Sequence, residues 1–112
     1  MKLFTGLRKI RELQRSHLPF VQGILEYDIV IEIGFAEEVG RPITLKRLFL
    51  LNISSPSTVR RKLSQLVKDG TIIRQKTEND QRTSVLSVGA AAVRAFGKYG
   101  GSIAAVSAAH FK

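Results

Sequence analysis

Apolar positions follow helical spacing through residues 5–69, alternate through 71–88, and return to helical spacing beyond residue 88. The best-delimited element is 56–69. Val59, Leu63, Leu66 and Val67 fall at i, i+4, i+7 and i+8 and form one buried stripe. Ser55 can cap the helix, because its hydroxyl can accept a bond from an unpaired backbone N–H of the first turn. Pro56 suits the first helical position, where its missing donor costs nothing. Gly70 suits the left-handed residue just past the end. The opposite face offers Ser57, Thr58, Arg60, Arg61, Ser64, Gln65 and Lys68, with no carboxylate.

On the N-terminal side, residues 5–15 predict a short basic helix. Its narrow stripe is Leu7, Ile10, Leu13 and Gln14, flanked by Arg8, Lys9, Arg11 and Arg15. Packing on its own subunit or a partner is the plainer reading, and phosphate contact the sharper one. A second helix is predicted to start at Ser16-His17-Leu18-Pro19 and run to about Gly40. Its stripe would be Phe20, Ile24, Tyr27, Ile31 and Phe35, with Val21, Leu25 and Val39 alongside. Ile29 to Ile33 is β-branched enough for a strand, but the longer helical pattern outweighs it. Gly34 is either a mild cost in that helix or a close packing point. After the break at Gly40-Arg41-Pro42, Ile43 can add a short strand to a later hairpin. Thr44 caps a helix over 45–51 that buries Leu45, Leu48 and Phe49, with Leu51 at the margin. Asn52, which tolerates a left-handed backbone, closes it. Two helices joined by a short turn, the second basic, make a helix-turn-helix.

Beyond Gly70, residues 71–77 and 82–88 predict two antiparallel strands around the polar turn Glu78-Asn79-Asp80-Gln81. A hairpin directly after a helix-turn-helix is a wing. Ser87 is expected to cap a last helix over 88–99, with Val88, Ala92, Val93 and Phe96 inward. Gly100-Gly101 is expected to break it, and residues 102–111 to form a second, small-residue helix. If exposed, that helix would be an apolar patch suited to self-association; packing on its own subunit is the equal alternative. The fold class is therefore mostly α with a small β-hairpin, a winged helix-turn-helix. It is expected as one domain over 1–112: N-terminal helices in 1–40, helix-turn-helix in 44–69, wing in 71–88, C-terminal helix or helices in 88–112.

Charge sharpens this picture. The formal charge is +9 and the pI about 10.5, which favours a polyanion as partner. Residues 41–82 hold ten Lys and Arg against three acids, whereas 17–40 hold five acids and neither Lys nor Arg. A positive surface in the middle of the chain follows. With no cysteine, disulfides, thiolate metal sites and thiol-based sensing are excluded. Residues 1–8 lack the apolar core of a signal peptide, and no uncharged apolar run reaches the ~18 residues of a membrane span. A soluble, cytoplasmic protein without membrane partner, metal or other cofactor is the expectation.

Residues 44–89 resemble the MarR-type winged-helix transcription regulators. The resemblance runs from Thr44-Leu45-Lys46-Arg47-Leu48 through Ser57-Thr58-Val59-Arg60-Arg61 and Leu66 to Arg74. Asp80-Gln81-Arg82 and Val85-Leu86-Ser87-Val88-Gly89 complete it. Its most specific part is the wing's Asp-x-Arg, followed by a strand and Leu86-Ser87-Val88-Gly89. The resemblance implies a homodimer that binds double-stranded operator DNA, and it leaves room for a small-molecule effector. It implies that Ser57, Thr58, Arg60, Arg61 and Ser64 enter the major groove, while Arg82, helped by Asp80, enters the minor groove. Lys46, Arg47, Lys68, Arg74 and Lys76 are the candidates for phosphate contact, which adds affinity without sequence information. The terminal helices are short for the family's dimerisation region.

An enzyme is not expected. His17 and His110 lie near opposite ends, and no phosphate-binding loop, HExxH, GxSxG or Walker signature occurs. The alternative is a winged helix used for protein–protein interaction without DNA. RNA ranks lower, because the narrow A-form major groove excludes a helix.

Overall fold

In the computed structural model the backbone is described for residues 1–77 and 80–112, and side chains for 1–76 and 84–112. The elements are α1 Leu3–His17, α2 Ile24–Glu38, α3 Leu45–Leu50, α4 Pro56–Lys68, β1 Ile72–Thr77, β2 Asp80–Val88 and α5 Ala90–His110. The chain divides into two compact units, residues 22–89 and residues 1–21 with 90–112.

The 22–89 unit is mostly helical with one antiparallel hairpin, as a winged helix-turn-helix requires. β1 and β2 pair from Ile72 opposite Val88 to Lys76 opposite Ser84. The Leu86 N–H donates to the Ile43 carbonyl at 2.9 Å, and Thr44 bridges Val85, so the segment before α3 does join the hairpin. Thr44 caps α3 by accepting from the Arg47 N–H, and Asn52 ends the turn with φ 54°. Ser55 caps α4 by accepting from the Thr58 N–H, and Gly70 takes φ 82° just beyond it. The core is Ile29, Val30 and Ile33 of α2, Leu48 of α3, Val59, Leu63 and Leu66 of α4, Ile72 and Leu86. Leu45 and Phe49 are half-buried, and Leu51 is exposed.

Two expectations about α2 need correction. It does not start at Ser16–Pro19: α1 continues through His17, and α2 starts after an extended Gly23. Pro19 has no N–H and disfavours helical backbone just before it, which ends the first helix there. The buried face is also different. Glu26, Ile29, Val30 and Ile33 are buried, while Ile24 is 80% and Phe35 58% exposed. An added Cβ at Gly34 would meet only Val88, at 3.5 Å, an ordinary contact. No close packing therefore requires this glycine, and the mild-cost reading applies.

In the other unit α1 and α5 pack together. The Lys2 N–H donates to the His110 carbonyl at 3.0 Å, and His17 Nε2 lies 3.3 Å from Ser102 Oγ. A Cβ at Gly6 would collide with the Phe111 ring, so this glycine lets the two segments approach. Phe20, Phe96 and Tyr99 form a chain of edge-on aromatic contacts. α5 is one helix, contrary to the expected break at Gly100-Gly101. A mid-helix glycine costs only about 1 kcal/mol against alanine, and packing along α1 offsets that. Ser87 does not cap α5; it lies in β2 opposite Ile73, and the helix begins at Ala90. Ala92 and Tyr99 are the buried positions, whereas Val93 is exposed.

Candidate nucleic-acid interface

α4 positions most of the candidate residues. Its buried stripe of Val59, Leu63 and Leu66 fixes which side faces outward. Ser57, Arg60, Arg61, Ser64, Gln65 and Lys68 are exposed there. Thr58 is half-buried, and its hydroxyl accepts from Ser55 Oγ at 2.8 Å, so the N-cap occupies it. Arg60 leans back over α3, with its guanidinium carbon 5.3 Å from the centre of the Phe49 ring. That cation–π contact orients the side chain; nothing local in the sequence announces it.

Arg60, Ser64 and Lys68 recur at every fourth position of α4, on one side of the helix. With Leu45, Leu63, Val67 and Arg74 they line a cavity of about 520 Å³. The structure thus brings together four predicted site residues, Arg60, Ser64, Lys68 and Arg74, over an apolar floor with no carboxylate. Any anion entering it meets three cations at once. Ser57, Arg61, Lys46, Arg47 and Lys76 do not line it. Lys46 and Arg47 are exposed on α3.

The hairpin places its cations by alternation. Ile72, Arg74 and Lys76 share one face of β1, because successive side chains point to opposite faces. Ile72 is buried at the base, and Arg74 and Lys76 continue that face outward as exposed residues. Arg74 Nε donates to the buried Ser84 Oγ at 2.9 Å, which steadies the guanidinium while its remaining donors stay available. The side-chain roles expected of Asp80 and Arg82 lie outside the described residues.

Lys62 behaves differently from its neighbours Arg60 and Arg61. Its Nζ lies 2.6 Å from Glu26 Oε1 of α2. Burial pushes the Glu26 carboxyl up. Hydrogen bonds from Lys62 and from its own backbone N–H, with the charges of Lys62 and Arg61, more than offset this and hold it below its ordinary value of 4.5. Glu37 is also used structurally, accepting the Val88 N–H at 2.7 Å. These carboxylates therefore anchor α2 within its own unit.

No family model and no curated protein sequence matches the chain. Solved structures do. RV1404 from Mycobacterium tuberculosis superposes with a TM-score of 0.66 at 18% identity, covering 92% of this chain and 70% of that one. AbsC, a MarR family transcriptional regulator from Streptomyces coelicolor, gives 0.63 at 17% identity, covering 96% and 72%. A MarR mutant from E. coli complexed with operator DNA gives 0.59 at 17% identity, covering 87% and 67%. At this identity the likeness establishes the fold: the chain has the winged helix-turn-helix architecture of the MarR regulators.

Proposed function

We propose that this protein is a transcriptional regulator that binds double-stranded DNA with sequence preference as a homodimer, α4 entering the major groove and the wing reaching the minor groove. The observation that carries the reading is the exposed, carboxylate-free face of α4. Arg60 and Lys68 of that face converge with Arg74 of the adjacent hairpin around one cavity. A helix of this kind on a helix-turn-helix presents its N-terminal turns to base edges while the preceding helix crosses the backbone. The E. coli MarR structure with operator DNA supports the same use of the fold.

Within this reading Arg61 is the principal base reader, because a guanidinium can bond both acceptors of a guanine edge. Arg60, aimed by Phe49, Ser57, Ser64 and Thr58 complete the groove-facing set, with Thr58 limited by its cap bond. Arg82 serves the minor groove. Lys46, Arg47, Lys68, Arg74 and Lys76 hold phosphates and set register. The exposed apolar residues Leu3, Phe4 and Leu7 of α1 support association with a second copy. No catalytic step is assigned to any residue.

The test is binding to a mixed-sequence duplex across a salt series, followed by site selection. Affinity is expected to fall steeply with salt, and the slope to become shallower in Arg60→Ala/Arg61→Ala and in Arg82→Ala. On a selected site, Arg61→Ala should cost about 1–3 kcal/mol and relax preference at one base pair. A folded protein that binds no duplex at low salt overturns the reading in favour of a protein-interaction module.

A further inference from the structure

Glu26 is the buried carboxylate among the described residues, and DNA binding as read above gives it no role. Its side chain is 8% exposed and that of its partner Lys62 32%. Lys62 ends the run Arg60-Arg61-Lys62, three consecutive cations of α4 of which the helical period sets only the first two on the outward face, leaving Lys62 at the edge of the buried stripe. The tertiary structure gives Lys62 a partner of its own. Arg60 and Arg61 are exposed, while Lys62 is drawn against α2, where Glu26 Oε1 meets its ammonium. Buried ion pairs add little net stability compared with well-packed apolar residues, so stability alone is a poor reason for this one. A free lysine beside a recognition surface, by contrast, contacts any phosphate, and such contacts raise affinity for every sequence equally.

We infer that Glu26 is a positioning residue for selectivity: by holding Lys62 against α2 it keeps the third cation of α4 off the DNA backbone. This inference rests on the DNA-binding reading. Arg61 adds its charge to that of Lys62 in acting on the Glu26 carboxylate. Gly23 keeps the carboxylate's place open, since a Cβ there would lie 2.8 Å from Glu26 Oε2.

The first experiment uses no DNA. The full chain is treated with a limiting amine-acetylating reagent, and modification at each lysine is read by mass spectrometry. Lys62 is expected to react several-fold more slowly than the exposed Lys46, Lys68 and Lys76, and Glu26→Gln to bring it to their rate. Equal rates in the wild type overturn the inference whatever the protein does with DNA. The second experiment compares salt slopes on a scrambled duplex. Glu26→Gln should steepen the slope by roughly one phosphate contact, about 0.9 in log K against log salt. Adding Lys62→Met should return it to the wild-type value. A folded Glu26→Gln protein with an unchanged slope, or a gain that persists in the double variant, overturns the inference. Should Glu26→Gln not fold, Lys62→Gln alone decides: its slope should equal the wild type, and a shallower slope means that Lys62 already contacts DNA. A wild type without salt-dependent binding instead overturns the function proposed above, and the labelling result stands apart from it.

Discussion

Glu26 carries opposing influences on one carboxyl group. Burial favours the neutral form, and Lys62, the backbone N–H and Arg61 favour the charged form and prevail. The folded state therefore binds this proton less readily than the unfolded chain. Above its ordinary value of 4.5 the carboxyl is ionised in both states, and the stabilisation is fully present. As pH falls through that value and then through the lower folded value, the unfolded chain takes up the proton first and the stabilisation is lost. Melting temperatures of wild type and Glu26→Gln, followed between about pH 5 and pH 3, should show a shallower acid decline in the variant. Equal declines would mean that another group carries the acid sensitivity. Gly89 is constrained by backbone rather than by charge. An added Cβ there would collide with the Gly70 carbonyl, and the Gly89 N–H donates to the Thr71 carbonyl at 2.8 Å. The glycine that closes Leu86-Ser87-Val88-Gly89 thus permits a close backbone approach at the base of the hairpin.

Among the elements, α4 and α2 differ in how much their sequences say. In α4 a cap, a proline, a glycine and a clean stripe agree, so its limits and its inner face were both legible. In α2 apolar residues surround nearly the whole circumference, and periodicity identifies a helix without choosing its inner side. The stripe of Ile24, Ile31 and Phe35 was as regular as the buried one of Ile29, Val30 and Ile33. Tertiary contact chose between them. Ile33→Ala should therefore cost about 2–5 kcal/mol of stability, and Ile24→Ala no more than about 0.5 kcal/mol. Denaturant unfolding of the two variants checks this, and the reverse order would restore the other phase. α5 shows the same limit from the other side. Glycine propensity argued for a break at Gly100-Gly101, but propensity is a weak term beside packing along a partner helix.

For the whole molecule, the concentration of positive charge in residues 41–82 becomes a surface rather than a sequence run. Arg60, Lys68 and Arg74, from α4 and β1, line one cavity, while Lys62 pairs with Glu26 of α2. The second half of α5 packs on α1, from Ser102 beside His17 to His110 beside Lys2, so its small residues are partly used within one subunit. Within this unit α1 carries the larger exposed apolar group, with Phe4 80% and Leu7 46% exposed, while Val93 of α5 is 54% exposed. Phe4→Asp/Leu7→Asp should convert the proposed dimer to monomer in sedimentation experiments while leaving helix content intact. An unchanged sedimentation coefficient would remove this face from the interface.

The winged helix-turn-helix could be read from residues because its signals are local. Caps, turn glycines, a period of 3.6 followed by alternation, and a carboxylate-free helix face all act within a few positions of the backbone they shape. The inner face of α2, the continuity of α5, the stack of Arg60 on Phe49 and the pairing of Lys62 with Glu26 were decided only in three dimensions. Each depends on a partner distant in sequence. Burial and charge pairing are properties of what packs opposite a residue, and no spacing along the chain encodes which residue that will be.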